Sequence, residues 1–329
     1  MVSTRTKPNG HGELSEQGRL QYTARAFEQD ANAAMRGDIV RGLIEMITNC
    51  DDAYARDNAK RGRILVQVDH RRGAPWKVVV KDRASGMSLD DMRTKLVKLA
   101  VRSSGFERKL AVRGNLGRGA RDLAAFGTVL FESIKDGKYS ALQLDPAGSY
   151  RMTPRERRVT EEERDALGIA HGNGTSVTVT VRENIRCPNH RTLVKKLSSH
   201  YQLRDIMTDS AREVILESLN TNESDRLRYS VVGGVPIRDE QVPIKGWSGV
   251  NARFQILRLP ERCQDPPSDP YRPAGILIKG ARATYENTLF GLEGNPFASY
   301  FRGAVRCEFI DELARPFDDA EAADQAQSA

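Results

Sequence analysis

Apolar positions recur along the first half of the chain with two spacings, one near 3.6 residues and one of two. In "DIVRGLIEMITNCDDAYARD", Ile39, Val40, Leu43, Ile44, Ile47 and Tyr54 fall on one side of a helix, which predicts a helix over about 36–56. An earlier helix is expected over about 13–28. The runs "RILVQVDH" at 63–70 and "WKVVVKD" at 76–82 read as strands joined by a turn at "RRGAP". Ser88 caps a helix that opens as "SLDDMRTKLVKLA", with Asp90 and Asp91 in its first turn, where the helix dipole favours negative charge.

The stretch 102–119, "RSSGFERKLAVRGNLGRG", is basic, glycine-rich and weakly periodic, and reads as a mobile loop leading into a helix at "RGARDLAAF". Strands over about 128–134, 138–145 and 174–182, with a short helix near 160–167, complete an α/β sandwich. After "RENIRCPN" the pattern changes. Helices are expected over about 189–203 and 210–219, followed by strand-like runs in "RYSVVGG", "RFQILRL" and "AGILIKGARATY". These readings divide the chain into a flexible start at 1–12, a first domain at 13–185, a second at 186–316 and a disordered Ala-, Asp- and Gln-rich tail at 317–329.

The polar side of the 36–56 helix is unusual. Glu45, Asn49 and Asp52 stand at i, i+4 and i+7 and so share a face. A solvated face usually carries Lys, Arg and Glu, whereas Asn and Asp are poor helix formers. Three further stretches carry candidate chemistry. In "VVVKDRASGMS", Asp82 ends a strand and Gly86 follows: a carboxylate there can accept from an exocyclic amine, and the glycine lets the backbone approach a flat base. The same letters also describe an ordinary turn. In "GNLGRGARD", Gly114, Gly117 and Gly119 precede a helix, where exposed N–H groups favour phosphate oxygens. No Lys-Ser/Thr follows, so this is not a P-loop, and no first strand precedes it directly, as a dinucleotide fingerprint requires. In "GNGTSVTVTV", Gly174 and Thr175 open an alternating strand.

Composition narrows the class. The 329 residues are 39% hydrophobic and 29% charged, which suits a soluble globular protein. Net charge is +7, with small clusters such as "HRR" at 70–72 and "RERR" at 155–158; this permits nucleic-acid contact and equally describes a solvated basic surface. The four cysteines lack paired spacing, and the sequence has no secretory signal or apolar run of membrane-spanning length, so a reducing cytoplasm and no membrane are expected. Cys187 and His190 have the spacing of half a zinc site whose other half is missing, and the five histidines form no nucleophile–base arrangement.

The order of these motifs resembles one family. A helix with Glu, Asn and Asp, a strand-end Asp-x-x-x-Gly, a glycine-rich lid and a Gly-Thr strand are similar to the GHKL ATPases. That family includes the ATPase component of DNA gyrase, the ninety-kilodalton heat-shock chaperones, the histidine kinases and the mismatch-repair protein MutL. The resemblance covers about residues 36–182 and implies an α+β protein: a sandwich with a mixed, mainly antiparallel sheet covered by helices on one face, followed by an S5-type α/β transducer-like domain. It implies ATP and Mg²⁺ as ligands. Glu45 would be the general base, and Asn49 would bind Mg²⁺. Asp52, Ala53 and Met87 would line the pocket, Asp82 would bond the adenine amine, and Gly86 would let the backbone close on the base. Gly114, Asn115, Leu116, Gly117, Arg118 and Gly119 would wrap the phosphates, and Thr175 would support Asp82. One departure stands out: the family usually has Gly two residues after the adenine-binding Asp, where this chain has Ala84.

Glu45 separates the branches, because the histidine kinases generally lack a water-activating Glu here and carry a basic residue near the position of Asp52. Hydrolysis is therefore expected rather than phosphotransfer to histidine. The family's transducer domains send a lysine to the γ-phosphate; Lys279 is the first candidate and Lys245 its rival. "GRGARD" and "FASYFRGAVRCEFIDEL" are most similar to the prokaryotic MORC-like ATPases, which are associated with restriction and anti-phage functions. The resemblance implies a homodimer closed by ATP and acting on double-stranded DNA or on a DNA-acting partner. A chaperone-like clamp on protein clients and a nucleotide-binding signalling module with little turnover are the alternatives. In the N-terminal segment, Leu14, Leu20, Tyr22 and Phe27 could add to a partner's surface or pack on their own subunit.

Overall fold

A computed structural model describes residues 23–70, 73–97 and 119–313. The expected arm at 1–12, Leu14, Leu20 and Tyr22, the lid residues Gly114, Asn115, Leu116, Gly117 and Arg118, and the tail at 317–329 lie outside the described residues.

The helix expected at 13–28 is described as α1 (Ala24–Met35), capped by the Thr23 hydroxyl and ended by Arg36 in a left-handed conformation. Residues 13–22 of the expected helix lie outside the described residues; α1 continues past residue 28, with Ala31 and Met35 buried. The long patterned helix is α2 (Ile39–Arg56), whose Asp38 cap accepts from the Val40 N–H at 3.0 Å. Its apolar face buries Ile39, Val40, Leu43 and Ile47. Strands β1 (Gly62–Asp69) and β2 (Lys77–Asp82) follow as an antiparallel pair. Ser88 and Asp91 form a reciprocal capping box at α3 (Leu89–Met92), which continues as a π-helical turn over Arg93–Val97. The helix α4 (Gly119–Asp122) passes into a 3₁₀ turn, Leu123–Phe126.

Next come β3 (Gly127–Lys135), β4 (Lys138–Leu144), β5 (Tyr150–Met152), β6 (Arg157–Arg158), α5 (Glu161–Leu167) and β7 (Gly174–Val181). They are followed by α6 (His190–Ser199), α7 (Arg204–Thr208), β8 (Arg212–Ser218) and β9 (Glu223–Leu227). These strands make one sheet in the order β5-β4-β3-β7-β2-β1-β8-β9, with β6 on β4. The β1–β8 pair is parallel and the others are antiparallel. One sheet face packs its alternate residues, such as Ile64, Val66, Val78, Val80 and Phe131, against the helices in a single core. The other face is more polar, as where the Gln67 amide donates to the Glu217 carboxylate at 2.8 Å. The protein is thus α+β, with the mixed, mainly antiparallel sheet that the resemblance implies.

Two expectations change here. Residues 210–219 form the strand β8, not a helix, because Arg212, Val214 and Leu216 alternate inward beside β1. The sequence places the domain boundary at 185–190, but α6, α7, β8 and β9 belong with the first sheet, which continues to Leu227.

The second unit has five strands: β10 (Val235–Pro243), β11 (Asn251–Arg258), β12 (Gly275–Lys279), β13 (Thr284–Thr288) and β14 (Phe301–Arg306). Their order is β10-β11-β14-β12-β13, and a short α8 (Phe309–Leu313) follows. Its small core joins Ala252, Ile276, Val305 and Cys307. The Tyr201 N–H donates to the Pro270 carbonyl at 3.1 Å, and Arg204 donates to the Arg272 carbonyl, so both ties cross from the first unit to the second.

Candidate nucleotide cleft

A cleft of about 810 Å³ opens along the polar face of α2, between the first sheet and the second unit. Glu45, Asn49, Asp52 and Ala53 line it from α2, Asp82, Gly86 and Met87 from the end of β2, Gly119 from the start of α4, and Thr175 from β7. All the described residues that the resemblance assigned to the first domain's site are therefore brought together. Lys279 is not. It ends β12 with its side chain largely buried and donates to the Asp205 carboxylate on α7 at 2.7 Å, and it does not line the cleft. Lys245 is exposed and also lies outside the lining. From the second unit the cleft takes Pro270, Tyr271, Thr284, Glu286 and Asn287 instead.

Asp82 lines the cleft and is 6% exposed. It is paired in register with Thr175 across β2 and β7. Burial pushes its carboxyl up to about 6, against the opposing bonds from the Ala84 N–H, the Cys50 thiol and the Thr175 N–H. The Ala84 N–H lies 2.9 Å from Oδ1. Ala84 is itself buried in the core and is not among the cleft residues, so the methyl that replaces the family's usual glycine points into packing rather than into the site. Cys50 has its thiol pushed up by burial and by the Asp82 carboxylate, so it acts as a neutral donor.

The turn after Asp82 is fastened from three sides. The Arg83 N–H donates to the Tyr54 hydroxyl at 2.8 Å, and that hydroxyl donates to the Arg63 carbonyl at 2.6 Å. Gly86 has φ +71°, and a Cβ there would meet the Ile134 carbonyl oxygen at 2.2 Å, so only glycine fits. The Met87 N–H donates to Ser133 Oγ at 2.7 Å, and that hydroxyl donates to the Gly174 carbonyl at 2.9 Å and lies 3.1 Å from Thr175 Oγ1. The sequence reading placed Tyr54 on the apolar face and gave no site role to Cys50 or Ser133. Ser133 carries no local signal, because its role exists only once β3 lies beside β7.

At the other end of the stripe, the Asn49 amide donates to Glu45 Oε1 at 3.0 Å. This bond uses the amide nitrogen and leaves the side-chain carbonyl oxygen for another partner. Desolvation in the cleft raises the Glu45 carboxyl, the bond from Asn49 opposes it, and the charges of Asp52 and Asp122 add to the rise. Gly119 is pressed against this carboxylate: a Cβ there would come within 2.1 Å of it. The last lid glycine, the only one among the described residues, thus starts its helix on the candidate base.

This combination, an acceptor carboxylate at a strand end and an Asn-bonded Glu one helical face away, describes a nucleotide cleft, and comparison with known families decides its kind. Residues 39–159 match the family model described as histidine kinase-, DNA gyrase B- and HSP90-like ATPase. The N-terminal domain belongs to the GHKL ATPase family. ATP binding is the property this membership supports. The match starts at the first residue of α2 and takes in Glu45, Asn49, Asp82 and Gly119, while Thr175 lies beyond its end. No curated protein matches the chain. Among the described residues no helix is long and apolar enough to cross a membrane.

The Asp82 environment gives the GHKL domain a pH signature. In the adenine-acceptor role expected for Asp82, an ionised carboxylate would accept from the amine with either oxygen, whereas protonation turns one of the two into a donor. Because burial raises this group to about 6, ATP affinity is expected to hold at pH 7–8 and to fall roughly tenfold per pH unit once the pH drops well below that value. Fluorescent-nucleotide titration from pH 8 to pH 5 checks this, with a flat profile counting against Asp82 as the adenine acceptor.

Proposed function

We propose that the protein is a magnesium-dependent ATPase in which Glu45 activates the attacking water. The observation that carries this reading is the Glu45–Asn49 pair: a carboxylate with a raised pKa facing the cleft, held by the amide of its i+4 neighbour. A general base works best when its pKa approaches the working pH, and desolvation moves Glu45 in that direction. The donor set suits Mg²⁺, because Asn49 keeps an uncharged carbonyl oxygen free and hard cations take oxygen ligands. Bound there with the phosphates, the ion would neutralise charge developing during hydrolysis. The chain's own residues supply the rest. Asp82, backed by Cys50 and Thr175, fixes the base; Gly86 and Met87 close the backbone on it; Asn49 keeps Glu45 oriented; and Gly119, having no Cβ, lets the start of α4 approach the catalytic carboxylate.

In this reading ATP closes two copies into a dimer that works on double-stranded DNA or on a DNA-acting partner, in the manner of the MORC-like and MutL-like branches, with anti-phage defence as the setting. The basic charge balance of +7 supports the choice of a polyanionic partner. The test is phosphate release with and without duplex DNA at two salt concentrations, since binding driven by backbone phosphates weakens steeply with salt. Stimulation by DNA that fades at the higher salt is expected, and EDTA is expected to abolish release. Turnover that ignores DNA at both salts removes the DNA role and favours the chaperone-like alternative. Tight ATP binding with no release favours the signalling module.

A further inference from the structure

The turn between β12 and β13 reaches from the second unit to the side of α2 that faces away from the cleft. Asp51, on α2, is 1% exposed and is not among the cleft residues. Its Oδ1 accepts from Arg212 Nε at 2.6 Å and its Oδ2 from Arg282 Nη2 at 2.5 Å. Arg212 comes from β8 of the first sheet, whereas Arg282 comes from the β12–β13 turn of the second unit.

That turn is stiff. The Gly280 N–H donates to the Ala283 carbonyl at 3.0 Å, and the Ala281 N–H donates to Asp311 Oδ2 at 2.9 Å. The Tyr285 hydroxyl donates to Asp311 Oδ1 at 2.5 Å. Gly280 lies so close to this carboxylate that a Cβ would meet it at 1.9 Å. Arg282 is therefore an arm carried by the second unit itself, and the residues after it, Ala283 and Thr284, line the cleft. Asp51 sits two residues from Asn49 and one from Asp52 on a continuous helix, so moving Asp51 moves the polar stripe. The contact uses a single guanidinium nitrogen and leaves Arg282 Nε buried without a partner. Arginine–carboxylate pairs are frequently two-pronged, so this joint has a tighter arrangement available to it.

We infer that Arg282 is a positioning residue: through Asp51 it sets where α2 holds Glu45 and Asn49, and it carries filling of the cleft back to the second unit. The inference rests on the ATPase reading. It differs from a lysine that touches phosphate, because the contact is made behind the helix, away from the cleft lining.

Arg282→Ala leaves Asp51 paired with Arg212, so the buried carboxylate keeps a partner and the fold survives. The variant is expected to lose about tenfold in kcat with KM for ATP within about threefold, since misplacing catalytic groups costs rate while the adenine contacts stay intact. Arg282→Lys, which retains the charge, is expected to recover part of the loss. The second readout is amide exchange over residues 275–288 with and without a non-hydrolysable ATP analogue. Nucleotide should slow exchange there in the wild type and fail to do so in Arg282→Ala, although the variant still binds the analogue. An unchanged kcat, or equal protection of the two proteins by the analogue, overturns the inference and leaves the ATPase intact. A wild type that binds nucleotide without turnover fails the ATPase reading instead, and the exchange comparison then decides the coupling alone.

Discussion

Replacing Glu45 with alanine is expected to reduce ATP turnover by about 10²–10⁴-fold while ATP remains bound, the loss typical of a missing general base. The change deletes the carboxylate that the Asn49 amide bonds in the cleft, but leaves the adenine end, with Asp82, Gly86 and Thr175, untouched. Asn49 also keeps its carbonyl oxygen, so the metal–phosphate end is weakened little. Steady-state phosphate release and equilibrium nucleotide binding, measured on the same preparation, separate the two effects. Near-normal turnover in Glu45→Ala would mean that another group activates water.

Asp82→Asn should act at the opposite end and in the opposite way. The Ala84 and Thr175 N–H groups donate to the carboxylate. An asparagine would satisfy them with its carbonyl oxygen and turn its NH₂ toward the adenine amine, placing donor against donor. A buried polar group left unpaired costs about 1–3 kcal/mol, which corresponds to about 5–150-fold in ATP affinity. Preference for ATP over GTP should shrink with it. Competition titration with both nucleotides reads this directly; an unchanged preference would take Asp82 out of the base-recognition role.

Much of this site could be read from the sequence because its parts are local. The stripe of Glu45, Asn49 and Asp52 follows from helical spacing, the cap at Ser88 from its side chain and Asp91, and the position of Asp82 from the end of an apolar strand. Contacts made across long sequence distances left no such trace. The two-residue alternation of Arg212, Val214 and Leu216 is short and set among polar residues, and the helix reading passed over it; its parallel partner β1 lies far earlier in the chain. The same long reach hid the arginines that meet at Asp51 and the Ser133 bridge behind Thr175. Lys279 shows the same long reach. A lysine between apolar residues at a strand end looks available for a ligand, but Asp205, on a helix far back in the chain, already holds it.

ATP binding in this cleft and water activation by Glu45 together determine which nucleotide the protein retains. The most direct measurement is the identity of the nucleotide retained after incubating wild type and Glu45→Ala with Mg-ATP, removing the free pool and denaturing the protein. ADP is expected from the wild type and intact ATP, near one per chain, from the variant, as water activation by Glu45 requires. Retention of neither nucleotide by either protein, or the same ADP content in both, would contradict it.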